Sequence, residues 1–246
     1  MHSPAMARTM ILLAGGLGTR LRQVIPDRPK VLAMVAGRPF LAYVLAYLAE
    51  QGIERVILAT GYLGDQVRDF AGDGGRWGLT IRYSQEETQL GTAGALRQAA
   101  SHLGGPFFAL NGDTLFLADL NRLWKAHCAQ STIASLALRK TASPTGRGIV
   151  RLGADGKVLA FAEKPETSSL EGGPITSAGL YVFSHQALQR FPQEGASSLE
   201  RDVFPKLAQA GLLGGSLQEA YFVDIGTPQS LSRFEQDVRS GLIRGL

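Results

Sequence analysis

A glycine-rich turn near the amino end of the chain is followed by two cations at a spacing that suits phosphate groups. The apolar run 10–13 leads into the sequence AGGLGTRL, which contains Arg20, and Lys30 follows ten residues later. Glycine N–H groups can approach an anion closely, because no Cβ intervenes and positive φ is allowed. The arginine and the lysine can then neutralise the same phosphates. This order of strand, glycine-rich loop, arginine and lysine predicts a site for a nucleoside triphosphate.

Two other phosphate-binding loops do not fit the sequence. A P-loop needs GxxxxGK followed by Ser or Thr, but the one Gly-Lys pair, at 156–157, is followed by Val158. A dinucleotide fingerprint needs a third glycine where Leu21 stands, and no acidic ribose ligand follows at the right distance. These missing residues argue against a nicotinamide-dependent oxidoreductase, a class that shares the parallel sheet.

The composition is typical of a globular enzyme with a modest basic bias. The chain has 246 residues, of which 45% are hydrophobic and 19% are charged, and its formal net charge is +4. This bias suits anionic small substrates, and no run of lysines and arginines points to a nucleic-acid partner. The single cysteine excludes an internal disulfide. Residues 1–9 lack the apolar core of a signal peptide, so we expect a loose extension there, a cytoplasmic location and no membrane partner.

Short apolar runs alternate with helix-length amphipathic segments through the first half of the chain. The alternation predicts an α/β fold of the Rossmann-like, doubly wound kind, with a mainly parallel central sheet. Ligands of such a sheet lie at the carboxyl ends of its strands. We expect strands at 10–13, 55–60, 81–84 and 107–110, and helices at 40–51, 64–71, 92–103 and 120–129.

The second half has the pattern of a smaller, mixed β extension. Turns rich in glycine and proline separate its apolar runs, and 154–157 carries a hairpin signal. We expect strands at 131–138, 148–152, 158–163 and 178–183, and helices at 197–210 and 228–240. The prediction is one domain, 10–246, with a nucleotide half at 10–130, a second half of the cleft at 131–226 and a carboxyl-terminal helix at 227–240.

Two aspartates stand at predicted strand ends, where Mg²⁺ could bind. Asp113 follows a strand in the sequence NGD, and Asp224 follows a short apolar run in the sequence DIGTP. Mg²⁺ prefers one or two carboxylates together with phosphate and water oxygens. Either aspartate could instead cap the helix or turn that follows it. No Ser–His or Cys–His arrangement is legible, which agrees with direct displacement at phosphorus without a protein nucleophile.

Five segments together resemble the signature of the sugar-phosphate nucleotidyltransferases, or nucleotide-sugar pyrophosphorylases. They are GGLGTRL with the later PK, then NGD, EKP, SAGLYVF and DIGTP, in the family's order. The resemblance implies a GT-A-like fold, Mg²⁺ as cofactor, a nucleoside triphosphate and a sugar 1-phosphate as substrates, and allows a homo-oligomer. It assigns catalysis to Arg20, Lys30 and Lys164, and the metal to Asp113 and Asp224.

The resemblance also distributes the substrate contacts and makes 131–226 the sugar-binding half. The nucleotide contacts are Leu13, Ala14, Gly15, Gly16, Gly18, Thr19, Gln85, Glu86, Gly91, Thr92, Asn111 and Gly112. The sugar-phosphate contacts are Gly148, Glu163, Lys164, Ser177, Gly179 and Glu200.

The segment 85–96 resembles the family's base-reading segment, LGTAG. Thr92 could cap the helix that follows, whose first N–H groups would lie near the nucleotide. Gln85 and Glu86 could contact a base edge, because an acidic side chain pairs with the N1–H and N2–H₂ donors of guanine. A solvated turn at a strand end would explain the same glutamates equally well.

Within this family the chain looks most like the D-glycero-α-D-manno-heptose 1-phosphate guanylyltransferases. The likeness is carried by GRPFL at 37–41, GYLGDQ at 61–66, GLTIRYSQEE at 78–87 and LNGDT at 110–114. The implied reaction converts GTP and the heptose 1-phosphate into GDP-heptose and pyrophosphate, for surface polysaccharide or glycoprotein synthesis.

Two alternatives remain open at this stage. One is uridylyl or thymidylyl transfer to a hexose or amino-sugar 1-phosphate, and the other is a catalytically silent, nucleotide-sensing subunit. Val31, Arg147 and Ser177 depart from the residues usual in the family, and Ser177 replaces an asparagine at a sugar contact.

Overall fold

The structure is a computed structural model of the chain. It describes residues 5–16, 18, 20–21, 25–141, 148–162, 174–243 and 245. The predicted site residues Thr19, Glu163 and Lys164 lie outside the described residues, as does Arg147.

The described elements alternate between strands and helices in the first half of the chain, as predicted. In chain order they are β1 (Thr9–Leu13), β2 (Met34–Val35), β3 (Arg38–Pro39), α1 (Phe40–Glu50), β4 (Arg55–Thr60), α2 (Gly64–Ala71), β5 (Thr80–Gln85), α3 (Gly91–Ala100), β6 (Phe107–Asn111), β7 (Thr114–Phe116), α4 (Leu120–Ala129), β8 (Ala134–Lys140), β9 (Ile149–Leu152), β10 (Val158–Ala162), β11 (Ile175–Phe183), α5 (Phe204–Gln209), β12 (Leu213–Leu217), β13 (Phe222–Asp224) and α6 (Pro228–Arg239).

Parallel strands form one half of a central sheet that has nine strands in the described part of the chain. Their spatial order is β6-β1-β4-β5. In β1, Met10 and Leu12 pack into one core cluster and Ile11 packs into the other. The strand is therefore buried on both faces, as continuous apolar runs in parallel sheets are. The predicted α/β fold with a doubly wound, mainly parallel sheet is confirmed.

The other half of the sheet is mixed. Strand β11 runs antiparallel to β6, β8 and β9, and β9 and β10 form the hairpin predicted at 154–157. The parallel pair of β8 and β12 was not predicted, because Gly214 and Gly215 lower the strand propensity of β12. Both glycines lie in close contact with side chains of neighbouring elements. A Cβ on Gly214 would lie 2.0 Å from Gln130 Oε1, and one on Gly215 would lie 2.5 Å from Leu138 Cδ1.

Helices cover both faces of the sheet and divide the core into two clusters. One cluster contains α1, most of which is buried, and the Phe234 ring of α6. This ring meets Phe40 and Tyr43 edge-on at centroid distances of 5.4 and 5.3 Å. The other cluster contains α3 and α5. None of the helices in the described part of the chain combines the length and the apolar character that crossing a bilayer requires.

The segment 197–210 was predicted as one helix, and the structure is helical over 199–209 but begins with a π-helical turn. Ser198 is extended and caps a π-helical turn at Leu199–Val203, and α5 begins only at Phe204. Pro205 lies in the first turn of α5. Because proline has no N–H, it fits the first turn of a helix and interrupts an interior. The proline therefore accompanies the change from the π-helical turn to α5, which follow one another without a break.

Candidate active site

The glycine-rich turn lies at the carboxyl edge of the parallel strands. The Ala14 N–H donates to the Ala59 carbonyl at 2.8 Å, and the Gly112 N–H donates to the Leu13 carbonyl at 3.0 Å. These bonds join the ends of β1, β4 and β6 around a cleft of about 380 Å³, a size typical of small-molecule sites. The lining residues are Leu13, Ala14, Gly15, Gly16, Gly18, Lys30, Val31, Glu86, Gln89, Gly91, Thr92, Ala95, Asn111, Asp113 and Ala196.

Lys30 reaches from a 3₁₀ turn to the end of β6. Its ammonium forms a salt bridge with Asp113 Oδ2, and the two side chains are 16% and 28% exposed. Lys30 also packs against the glycine turn, because a Cβ on Gly18 would lie 3.2 Å from Lys30 Cβ. Gly18 has a φ of +58°, which glycine adopts without strain. The predicted lysine and the first predicted metal-binding aspartate are therefore in contact.

Asp224 reaches the same place through the small two-stranded antiparallel sheet of β7 and β13. Asp224 is the ladder partner of Thr114, and the Ile225 N–H donates to the Asp113 carbonyl at 2.9 Å. Asp224 Oδ1 accepts a hydrogen bond from the Gly226 N–H at 2.6 Å. The two predicted aspartates, more than a hundred residues apart in sequence, thus lie on adjacent backbone segments.

Gly226 marks the point where the charged groups converge. A Cβ built there would lie 2.7 Å from Asp224 Oδ1, 3.5 Å from Arg20 Nη2 and 3.6 Å from Lys30 Nζ. The predicted pair of cations and the predicted pair of carboxylates, Asp113 and Asp224, therefore form one cluster. Such a cluster can hold several phosphate groups in a fixed position.

The donor set fits a divalent cation that binds together with a phosphorylated substrate. Asp113 and Asp224 offer hard carboxylate oxygens, the ligands that Mg²⁺ prefers. Among the described residues, no group of three or more His, Cys, Asp and Glu side chains could hold a metal ion. The remaining ligands would have to be phosphate and water oxygens, which is the usual case for Mg²⁺ at a nucleotide.

Glu86 lies against the glycine turn. A Cβ on Gly15 would lie 2.4 Å from Glu86 Oε1, so this side-chain position requires a glycine at residue 15. Glu86 Oε2 accepts from the Leu90 N–H at 2.9 Å. Burial raises the pKa of the Glu86 carboxyl, and the Leu90 hydrogen bond opposes the shift. Gln85, by contrast, is exposed and does not line the cleft, although its carbonyl accepts from Gln98 Nε2 at 2.8 Å.

The start of α3 is held by the segment 195–199. Thr92 Oγ1 accepts from the Leu199 N–H at 2.9 Å and does not cap its own helix, so the predicted capping role is wrong. The Ser197 carbonyl accepts from the Ala93 N–H at 2.9 Å, and the Ser197 N–H donates to the Leu90 carbonyl at 2.8 Å. Tertiary partners therefore satisfy groups that a local cap would have satisfied.

Three of the predicted sugar contacts that the structure describes, Gly148, Ser177 and Gly179, lie on β11 or next to it. The Ser177 N–H donates to the Gly148 carbonyl at 3.0 Å. Gly179 stands at a bulge of β11 with a φ of +73°, and a Cβ there would lie 2.9 Å from Asn111 Nδ2. The Tyr181 hydroxyl is buried and hydrogen-bonds to Ser177 and Asn111, and burial raises its pKa. Polar groups of two strands thus connect the two halves of the cleft.

Most of the predicted nucleotide contacts line the cleft, and the exceptions differ in kind. Gly112 is buried beneath the cleft, where a Cβ would lie 2.7 Å from the Leu13 carbonyl oxygen. Gln85 is exposed, and Thr19 lies outside the described residues.

Glu200, a predicted sugar contact, is half-buried on the π-helical turn, and its charge acts on the buried Tyr181 hydroxyl.

Four residues that line the cleft were not predicted as contacts, and one of them, Val31, follows Lys30 directly. Gln89 and Ala95 belong to the segment 85–96. The resemblance of this segment to a base-reading segment was the signal that could have identified them. Ala196 comes from the segment that holds α3, and no local sequence feature places it there. Its neighbour Ser197 meets α3 through tertiary hydrogen bonds alone.

An α/β sheet with a glycine turn, two cations and paired carboxylates at its carboxyl edge defines an enzyme that transfers groups from a nucleotide. The chain belongs to the nucleotidyl transferase family, whose sequence profile matches residues 9–241. The prediction of a nucleotidyltransferase from the glycine turn and its companion motifs is confirmed.

Relatives with known names cover most of the chain. A mannose-1-phosphate guanylyltransferase of Mycobacterium tuberculosis is 36% identical over 96% of this chain. A D-glycero-alpha-D-manno-heptose 1-phosphate guanylyltransferase of Aneurinibacillus thermoaerophilus is 35% identical over 93% of it. The matched region spans 65% of the mannose relative and 97% of the heptose relative.

Solved structures show the same fold. The crystal structure of HddC from Yersinia pseudotuberculosis superposes with a TM-score of 0.81 at 27% identity, covering 94% of this chain and 100% of that one. The same protein has been solved in complex with GMP-PN, with a TM-score of 0.80.

Proposed function

We propose that this enzyme transfers a guanylyl group from GTP to D-glycero-α-D-manno-heptose 1-phosphate, giving GDP-heptose and pyrophosphate. The single observation that carries the choice of base is the Glu86 carboxyl, held half-buried at the wall of the cleft against Gly15. The choice of sugar rests on the sequence likeness to the heptose enzymes. Each choice makes a separate prediction.

Glu86 suits guanine better than the pyrimidine bases. Its Oε2 is engaged by the Leu90 N–H, and none of the described residues donates a hydrogen bond to Oε1. Burial disfavours the charged carboxylate and raises its pKa, so the group gains from hydrogen-bond donors supplied by a ligand. Guanine offers adjacent N1–H and N2–H₂ donors on one edge, and uracil and thymine offer a single N–H there. Guanine therefore satisfies this carboxylate most completely.

The names of the relatives support a sugar of the manno configuration and favour mannose and the heptose equally. Both guanylyltransferases named above act on a 1-phosphate of a manno-configured ring, and their identities to this chain, 36% and 35%, are nearly equal. The heptose differs from mannose only by one additional carbon with its hydroxyl beyond C6. Discrimination between the two therefore depends on space and hydrogen bonds at that end of the sugar.

The chemistry that the site supports is an in-line displacement at the α-phosphorus of GTP. An oxygen of the sugar 1-phosphate attacks, the bond from the α-phosphorus to the bridging oxygen breaks, and pyrophosphate leaves with the electron pair. Arg20 and Lys30 hold the triphosphate and stabilise the charge that develops on it. Mg²⁺ bound by Asp113 and Asp224 would neutralise part of the same charge. The resemblance of the EKP motif to that of the family assigns to Lys164 the role of holding the sugar phosphate in line.

Catalysis then consists of positioning and charge neutralisation. The glycine turn allows backbone N–H groups to approach the phosphates, and the salt bridge between Lys30 and Asp113 fixes the ammonium before substrate arrives. Because GTP is a cytoplasmic nucleotide, we place the reaction in the cytoplasm.

The test is pyrophosphate release with Mg²⁺ in a grid of GTP, UTP and dTTP against the manno-heptose, mannose and glucose 1-phosphates. We expect release with GTP and the heptose phosphate. Release with GTP and only mannose phosphate would overturn the sugar assignment alone. A preference for UTP or dTTP would overturn the base assignment, and no release in any combination would favour a nucleotide-sensing subunit.

Glu86→Gln separates the role of the carboxylate from that of the fold, and Glu87→Gln is its matched control. Glu87 is the exposed neighbour outside the cleft lining. We expect Glu86→Gln to lower kcat/KM for GTP by about tenfold, the value of one charge-assisted hydrogen bond. Equal effects of the two substitutions would contradict the base assignment.

A further inference from the structure

A second cavity lies on the sheet away from the cleft. It runs from the amino ends of β1, β4 and β5 to the segment that follows α3, and its volume of about 560 Å³ exceeds that of the cleft. We call it the edge pocket, because β5 is the edge strand of the sheet. Its floor includes Arg55, Ile57 and Arg82, and its wall includes Gln98 and His102.

The edge pocket carries positive charge without a balancing acid. Arg55 and Arg82 stand on adjacent parallel strands and face the same side of the sheet, since Arg55 is the ladder partner of Thr80 and Arg82 that of Ile57. Arg55 Nε donates to Thr9 Oγ1 at 3.1 Å, which holds its guanidinium over the sheet. No aspartate or glutamate is among the described residues that line the pocket.

The second arginine has no hydrogen-bond or ion-pair partner in the described part of the chain. Among the described residues, none forms a hydrogen bond or an ion pair with the Arg82 guanidinium or the His102 imidazole. Neighbouring like charges repel one another, and a concave wall concentrates their field. Arg55 and Arg82 extend from the same face of adjacent strands, offset by two residues, and two such guanidinium groups can bind the oxygens of a diphosphate in forked pairs.

The rest of the pocket suits an organic group attached to such a diphosphate. Ile57, Leu103 and Pro106 supply apolar surface, and Ser84 and Gln98 supply polar groups, joined to one another at 3.1 Å. Pockets for nucleotide-sized ligands combine mostly apolar walls with a few convergent polar groups. We propose that the edge pocket is a second binding site, for a nucleoside diphosphate or its sugar ester.

A ligand in the edge pocket contacts the elements that also form the cleft. Helix α3 lines the cleft with Gly91 and Ala95 and the edge pocket with Gln98. Gln98 Nε2 also donates to the Gln85 carbonyl at 2.8 Å, one residue before Glu86. The two sites are therefore connected by one helix and by the end of one strand.

Equilibrium dialysis with radiolabelled GDP tests the proposal by stoichiometry. We expect two equivalents per wild-type chain and one in the double variant Arg55→Gln/Arg82→Gln. Loss of each charge-assisted contact weakens binding by about tenfold or more. The matched control is Arg151→Gln/Arg190→Gln, which removes two exposed arginines outside the pocket and retains two equivalents.

The outcomes distinguish this proposal from the proposed function. One equivalent in both the wild type and the double variant overturns the second site and leaves the cleft assignment standing. An intact second site with no pyrophosphate release from GTP overturns the proposed function instead. If gel filtration shows a wild-type dimer that the double variant abolishes, with one GDP per chain in each, the edge pocket is a contact between two copies and the proposal fails.

Discussion

Replacing Gly91 with alanine perturbs the wall of the cleft at a position where the structure leaves no room. Gly91 has a φ of +69°, and a Cβ there would lie 2.4 Å from the carbonyl oxygen of Ser197. Backbone atoms cannot swing away as the end of a flexible side chain can. The substitution must therefore shift the segment 195–199 away from α3 or distort the start of the helix.

The expected destabilisation is the sum of two effects. An alanine in the left-handed region costs about 1–2 kcal/mol. The Ser197 carbonyl accepts from the Ala93 N–H, and the adjacent bond from the Leu199 N–H to Thr92 Oγ1 depends on the same contact. Weakening these bonds costs about 1 kcal/mol each. The total is about 3 kcal/mol, which lowers Tm by about 6–12 °C in a chain of this size.

Thermal and urea unfolding of Gly91→Ala and Gly52→Ala measure the two effects separately. Gly52 has a similar φ of +78°, but a Cβ there would meet nothing within 4 Å. Gly52→Ala therefore reports the backbone cost alone, about 1–2 kcal/mol. We also expect Gly91→Ala to raise the KM for GTP, since Ala196 lines the cleft. Equal losses of stability in the two variants would refute the steric argument.

Three further predictions follow from the site and the core. Asp113→Asn should lower Mg²⁺-dependent kcat by about a hundredfold or more with the fold retained, and full activity would contradict the metal assignment. Lys164→Ala should raise the KM for the sugar phosphate more than the KM for GTP. A larger rise in the KM for GTP would show that Lys164 binds the triphosphate and not the sugar phosphate. Burial of the His127 imidazole between Ser135 and Ser184 lowers its pKa from 6.5 to about 4. As the pH falls, the unfolded chain therefore binds this proton before the folded protein does. Stability should be complete above pH 6.5 and fall by about 2–3 kcal/mol towards pH 4.5 in urea titrations, and an equal fall in His127→Gln would exclude this cause.

The parts of the fold that the sequence predicts are those with local causes. The parallel strands are short apolar runs. The turn at 154–157 that joins β9 and β10 contains Gly156, which has a φ of +79°. Strand β12 could not be predicted in this way, because its Gly214 and Gly215 pack against Gln130 and Leu138, which lie far away in sequence. Local propensity favours a turn there, and tertiary packing makes it a strand.

The same division applies to the candidate site. The lysine, the aspartates and the glycine turn stand in recognisable motifs, and the structure brings them together. Thr92 shows the limit, because its local sequence suggests a helix cap and its actual partner is the Leu199 N–H, 107 residues away. Ala196 enters the cleft through the same tertiary contact. Residues placed by contacts between distant segments leave no periodic or motif signal in one sequence.

The glycines of the site separate into two groups when the space around each one is considered. At Gly91, Gly112 and Gly179 a Cβ would collide with protein atoms at 2.4, 2.7 and 2.9 Å, so the fold itself explains why glycine is needed. At Gly16 a Cβ would meet no atom of the described residues within 4 Å, and its φ is not in the left-handed region. Packing and backbone strain therefore give no reason for glycine at this position. Since Gly16 lines the cleft, a ligand that approaches its backbone closely supplies the missing reason.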